Sequence, residues 1–242
     1  MLSESESLQL KHAEEYQFLL PTLTYALQHT ITAHDEMLAQ EKERRRDEIS
    51  KLKKTLLEQN NNDETCNAVL NAGNILCPSV FECFITPDIP AVTLLEYLKR
   101  IIKYTYASPS VLLVACMYID RLLSRWEGLL FHTQVAFKLI IAAVRIASKV
   151  LDTRTLNNKD FAVVGGVSNE ELNELELHFI ANIDYDVYVS AEEFGVYASD
   201  LVDAAAGKPQ PSSINFDRAP QPPAAGDSPA ASSPTPHGGP RR

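Results

Sequence analysis

Positive charge is in short supply in this sequence: 22 Lys and Arg stand against 32 Asp and Glu, a formal net charge of −10. That balance speaks against general affinity for nucleic acid or for an anionic membrane, since clustered cations carry both kinds of binding. Cysteine is scarce too. Cys66, Cys77, Cys83 and Cys116 form no C-x-x-C pair and no framework spacing, so they read as free thiols in a reducing compartment. The most apolar run, Val111 to Ile119, falls far short of the ~20 residues that span a bilayer. The opening MLSESESLQLKHAEEY has no basic start leading into an apolar run, so no secretory signal is expected. A cytoplasmic or nuclear location is.

The signatures of catalysis are missing as well. There is no G-x-S-x-G, no P-loop and no G-x-G-x-x-G, and Gly165-Gly166 alone carries little. The histidines, His12, His29, His34, His132, His178 and His237, are scattered. His29 and His34 are five apart and share a helical face poorly, and no Glu-x-x-His pair exists to build a carboxylate-bridged metal centre. The expectation is a protein without catalytic residues, metal or cofactor.

What is present is a core. Hydrophobic residues make up 45% of the chain, and its length suits one substantial domain or two small ones. Residues 208–242 hold nine of the 14 prolines and almost nothing to pack, and so are expected to be disordered. Ser228-Pro229, Ser233-Pro234 and Thr235-Pro236 in that tail suit a proline-directed kinase, although Ser-Pro is common in any such segment. Residues 1–62 read as a helical extension in two pieces, with Met37, Leu38, Ile49, Leu52 and Leu56 on a loose stripe among charges. Between about 75 and 205 lies the domain proper, read as all-α. Pro90 suits the first turn of a helix over 91–104. Ser108-Pro109 caps and opens a second, VLLVACMYIDRLLS, and Thr133 to Leu151 forms a third. The last two are apolar nearly all round, which places them at the centre of a helical bundle. Short helices near Asn158 to Val163 and after Ser168, and a last one capped by Ser190 and Glu193, complete the set. The β-branched run FAVVGGV has no partner strand beyond the short DVYVS, and an isolated strand is not stable.

Three charges sit at the ends or edges of apolar faces. Gly165-Gly166 breaks one helix, Ser168 and Glu171 then have capping-box spacing, and Val167 and Leu172 are set for a hydrophobic staple. The helix so started puts Leu172, Leu175, Phe179, Ile180 and Ile183 on one face, and Glu176 on the same stripe. Lys149 follows Val135, Leu139, Ala142 and Ile146 along the third helix, and Asp120 ends the stripe of the second. An unpaired buried ion costs several kcal/mol, so each needs a partner. Lys149 and Glu176 either pair with each other and close the bundle, tilt to solvent, or reach the backbone of another protein. Spacing leaves these readings open.

The segments IPAVTLLEYLKRIIKYT, SPSVLLVACMYIDRLL, FKLIIAAVRIASKVLDT and NNKDFAVVGGVSNEELNELELHFIANIDYDVYV, in this order and spacing, resemble the cyclin box of the Pho80-like (P/U-type) cyclins over roughly Ile75 to Val189. The resemblance implies a single five-helix cyclin box around an apolar central helix. It implies a non-catalytic regulatory subunit that binds and activates a cyclin-dependent serine/threonine protein kinase as a heterodimer, in cell-cycle control; the alternative is a cyclin-like scaffold or transcription adaptor. In that family the lysine of "ASK" and the glutamate of the last box helix contact the kinase, and they map onto Lys149 and Glu176; Val150, Phe179 and Tyr185 would add apolar area by analogy. The aspartate of "YIDR", which braces the cyclin fold internally, maps onto Asp120. Two positions depart from the pattern of animal mitotic cyclins. Ala91 stands where they carry an arginine and Lys138 where leucine is usual, so a substrate-docking groove is not implied.

Overall fold

A computed structural model of the protein describes residues 4–58, 78–126 and 128–205. Seven α-helices order this part of the chain: α1 (Glu4–Glu58), α2 (Leu94–Thr105), α3 (Pro109–Arg125), α4 (Thr133–Leu151), α5 (Asn158–Gly165), α6 (Asn169–Asn182) and α7 (Ala191–Ala205), with a 3₁₀ helix over Ser79–Phe84 between α1 and α2. No strand is found among the described residues. The tail residues Ser228, Ser233 and Thr235 lie outside them.

The centre is occupied by the two helices whose apolarity runs all round. Ten consecutive residues, Val111 to Asp120, are buried on α3, and ten more, Leu139 to Ser148, on α4. α3 and α4 pack along each other, α6 packs on α4, and α2, α5 and α7 close the outside. Close approach is bought by glycine at one point: a Cβ on Gly165 would stand 2.7 Å from Cγ1 of Ile141 on α4. The adjacent Gly166 serves a different need, ending α5 at φ +76°, where L side chains are strained.

Two boundaries differ from expectation. α2 begins at Leu94 and not at Ala91, because Thr93 forms a full capping box with Glu96: its hydroxyl accepts from the Glu96 N–H while the Glu96 carboxylate accepts from the Thr93 N–H. Pro90 therefore lies in the lead-in to the helix. The expected two-piece extension is a single helix, α1, of 55 residues. Pro21 stands inside it at an exposed position and does not end it, although proline leaves one hydrogen bond of the helix unmade there. The side of α1 that matters is Leu20, Leu23, Leu27, Ile31, His34 and Leu38, all buried at helical spacing against the bundle.

α1 also supplies a helix cap from outside. His132 precedes α4 without a side-chain cap of its own; Asp35 of α1 takes that role, accepting from the Thr133 backbone N–H at 3.0 Å and from its hydroxyl. Beside it, Nδ1 of buried His34 accepts from the Phe131 N–H at 2.8 Å.

The 3₁₀ helix seats Phe81 and Phe84 in the core, Phe81 edge-on to Trp126 at 5.3 Å and Phe84 edge-on to Phe179 at 6.4 Å. Lys138 fixes this segment. Its ammonium donates to the carbonyls of Cys83 (3.2 Å) and Ile85 (3.1 Å) and pairs with Glu171 of α6 at 2.7 Å.

Candidate functional site

The misplaced charges of α4 and α6 meet. Nζ of Lys149, in the last turn of α4, lies 2.6 Å from Oε1 and 2.8 Å from Oε2 of Glu176. Glu176 is also held from a second side: Nδ2 of Asn158, the first residue of α5, donates to its Oε2 at 2.6 Å. Behind Asn158 stands Arg145, buried on α4, whose Nε donates to Oδ1 of Asn158 (2.8 Å) and whose Nη1 donates to Thr155 Oγ1 (2.6 Å). Thr155 in turn shares a hydrogen bond with Ser148 at 2.8 Å. The Arg145 guanidinium lies over the Phe161 ring, 4.9 Å from its centroid. Burial pulls its pKa down, and the nearby Glu176 carboxylate opposes that shift.

The pair is lopsided in its exposure. The Glu176 side chain is 11% exposed and that of Lys149 is 42%. The carboxylate is an inner anchor, and the ammonium faces outward with two of its three donors committed. Apolar groups flank both: Val150 and Leu151 follow Lys149 and are 49% and 43% exposed, and Leu177 beside Glu176 is 68% exposed. Tyr185 beyond the end of α6 is exposed as well. Exposed aliphatic side chains thus adjoin, along the chain, both members of the pair.

Phe179 does not add to this exposed area. It is fully buried against Phe84, so it carries α6 from below and offers a partner no area. The stripe that suggested it is the core stripe of an amphipathic helix, and Glu176 is itself buried on that helix beside it. Ser168 caps α6 as expected, accepting from the Glu171 N–H at 3.0 Å. The Glu171 carboxylate, however, does not return to close the box; it binds Lys138.

Asp120 is buried, as an internal brace would be, with the Tyr197 hydroxyl of α7 as its polar neighbour. Neither carboxylate oxygen completes a regular hydrogen bond among the described residues, and the neighbouring Tyr197 hydroxyl on α7 does not either. Burial pushes the Asp120 carboxyl well above the usual carboxylate range, with only the Tyr197 hydroxyl working the other way. The same desolvation raises the Tyr197 phenol. Asp120 borders a cleft of about 560 Å³ that is also lined by Met117, Ile183, Val196 and the paired Arg121 and Glu193.

Sequence spacing missed Arg145 and Asn158, which hold Glu176 from behind. Arg145 was legible in principle, being a cation inside the apolar run LIIAAVRIAS. Among the described residues no group of three His, Cys, Asp or Glu is set to hold a metal, and no helix is long and apolar enough to cross a membrane.

The span that holds the apolar helix pair and the Lys149–Glu176 pair is a cyclin domain: the Cyclin family pattern matches residues 22–187. The chain is 40% identical over 112 residues to Cyclin-U1-1 of Arabidopsis thaliana, covering 46% of this chain and 53% of that protein. It is 38% identical over 122 residues to Cyclin-U2-1 of the same plant, covering 50% and 54%. To Cyclin-P4-1 of Oryza sativa subsp. japonica it is 35% identical over 129 residues, covering 53% and 61%. The chain belongs to the cyclin family, in its P/U-type, Pho80-like branch. It spans a little over half the length of these curated relatives. The matched segment begins inside α1, so most of the buried stripe of α1 is part of the cyclin domain.

Proposed function

We propose that this chain is a regulatory subunit that binds a cyclin-dependent serine/threonine kinase, holds it active, and contributes no catalytic group of its own. One observation carries the reading: Lys149 is presented at the surface by a buried, multiply bonded Glu176, with Val150, Leu151 and Leu177 exposed around it. A kinase needs its strand lysine paired to a glutamate of its own regulatory helix, and a subunit that grips backbone near that helix stabilises the active arrangement. The apolar rim supplies area, and the ammonium supplies a donor that fixes register. Cyclin family membership supports the kinase partnership, and a role in cell-cycle control follows as part of the proposal.

The test is reconstitution. The purified chain is titrated into purified cyclin-dependent kinases, and phosphate transfer to a Ser-Pro peptide is followed. The proposal expects at least one kinase to form a stable one-to-one complex and to gain activity many-fold. Complex formation without any gain would point to a scaffold, and no complex with any kinase would refute the proposal.

A further inference from the structure

We propose that Arg145 is the inner counter-ion of Glu176, and that by compensating the buried carboxylate through Asn158 it frees Lys149 to engage the kinase. Resting on the kinase-binding reading, this role makes Arg145 a positioning residue that the partner never touches.

Arg145 stands in surroundings that disfavour a charge. It lies within LIIAAVRIAS, the stretch of α4 that is buried without a break from Leu139 to Ser148, and is itself only 3% exposed. An ion so placed is unfavourable unless it is compensated. Yet no carboxylate touches it. Its Nε donates to Asn158 Oδ1 at 2.8 Å and its Nη1 to Thr155 Oγ1 at 2.6 Å, while its guanidinium lies over the Phe161 ring. The carboxylate whose charge offsets the burial of Arg145 is that of Glu176, one amide away.

That amide is fully committed. A side-chain amide has one acceptor oxygen and two N–H donors. In Asn158 the oxygen accepts from Arg145, and Nδ2 donates to Glu176 Oε2 at 2.6 Å and to Asn173 Oδ1 at 2.6 Å. Arginine only donates and a carboxylate only accepts, so the amide stands one way round between them. Its oxygen faces the cation and its N–H faces the anion. Arg145, Asn158 and Glu176 are therefore an ion pair with an amide dipole inserted.

The consequence falls on Lys149. A buried carboxylate with a single counter-ion retains it, because releasing it would leave a bare charge below the surface. Glu176 has two. Lys149 approaches from outside at 2.6 Å, with its side chain 42% exposed, and Arg145 acts from within. The two cations are four residues apart on α4, a spacing at which like charges repel, and Glu176 of α6 is the anion they share. When a kinase carbonyl competes for the Lys149 ammonium, the inner cation keeps Glu176 compensated. One cation suffices to close the bundle; a second has a use when the first is to be given to a partner.

The experiment is a double-mutant cycle on the full chain, with a purified cyclin-dependent kinase as the probe. The dissociation constant and the unfolding free energy are read for each variant. R145M, which suits the apolar run, is expected to keep the stability of the wild type and to bind the kinase on the order of tenfold more weakly. R145K, which keeps the inner cation, should recover most of that loss. N158D leaves Arg145 an acceptor but removes the donor to Glu176, so it should lose affinity as R145M does while the new Arg145 ion pair holds the fold. In an E176Q background, where no charge remains to be compensated, R145M should cost nothing further; a loss through packing alone would be the same in both backgrounds. Unchanged affinity in either folded variant, R145M or N158D, overturns the inference, as does an R145M loss undiminished by E176Q. A wild-type chain that binds no kinase overturns the kinase reading itself, and this inference falls with it. Binding that depends on Lys149 but not on Arg145 overturns the inference alone.

Discussion

Three Ser/Thr–Glu pairs at helix starts show how far a residue pattern carries. At Thr93 and Glu96 the box closes, both side chains bonding back to the backbone. At Ser168/Glu171 and Ser190/Glu193 the serine caps as its position dictates, while the glutamate leaves for a cation on another helix, Lys138 in one case and Arg121 in the other. The two serine caps were legible because they are local, while the Thr93 cap was passed over in favour of Pro90. The destinations were not legible, because spacing along a chain holds no information about which cation will face it. The same limit separates Glu176 from Phe179, which share one stripe in the sequence and differ by their place across its width. Replacing Phe179 by alanine therefore belongs with core deletions and should cost about 3–5 kcal/mol, measured by denaturant unfolding. Asp120 makes a prediction of opposite sign. Its carboxyl is raised in the fold, so its contribution is fully present below the unfolded carboxylate value of about 3.9 and is lost as pH rises through the folded one. Asp120→Asn, which mimics the protonated form, should raise the thermal midpoint at pH 8 by several degrees, at roughly 2–4 °C per kcal/mol, and leave it unchanged at pH 4. A lower midpoint at pH 8 would mean that the carboxylate is ionised and held after all.

Among the elements, α3 and α4 were the most legible, since helices apolar on every side have only the centre to go to. α1 was the least. Its charged half attracts attention in the sequence, but the half that docks is Leu20 to Leu38, where polar His34 and Asp35 interrupt the apolar stripe because they bind the backbone of the α4 start. Asp35→Ala removes a helix cap supplied in trans and should cost about 0.5–2 kcal/mol, with faster amide exchange at residues 131–136. The junction should also respond to acid. Burial holds the His132 imidazole below its ordinary range, with Lys42 and His34 adding to the shift and Asp35 opposing it. The unfolded chain then takes a proton that the fold refuses, so this stability is lost as pH falls from about 6.5 toward the folded value. Between pH 7.5 and 5, unfolding midpoints of the wild type should fall more steeply than those of His132→Phe; parallel curves would contradict the assignment.

At the scale of the molecule, the single-box cyclin fold was visible in the order of four segments, and the fold brings Lys149 and Glu176 together, one of the arrangements that spacing left open. What the sequence could not convey is the asymmetry of the pair, with the glutamate sunk into an Asn158–Arg145–Thr155 network and the lysine left outside. That asymmetry separates a bundle-closing ion pair from a presented one, and a charge exchange tests it most directly. Lys149→Glu, Glu176→Lys and the double exchange would be compared for unfolding free energy and for affinity toward a purified cyclin-dependent kinase. If Lys149 is presented to the kinase, both single variants lose binding, and the double exchange regains much of the stability without regaining the partner. If the double exchange binds the kinase as the wild type does, the pair only closes the bundle and the recognition surface lies elsewhere.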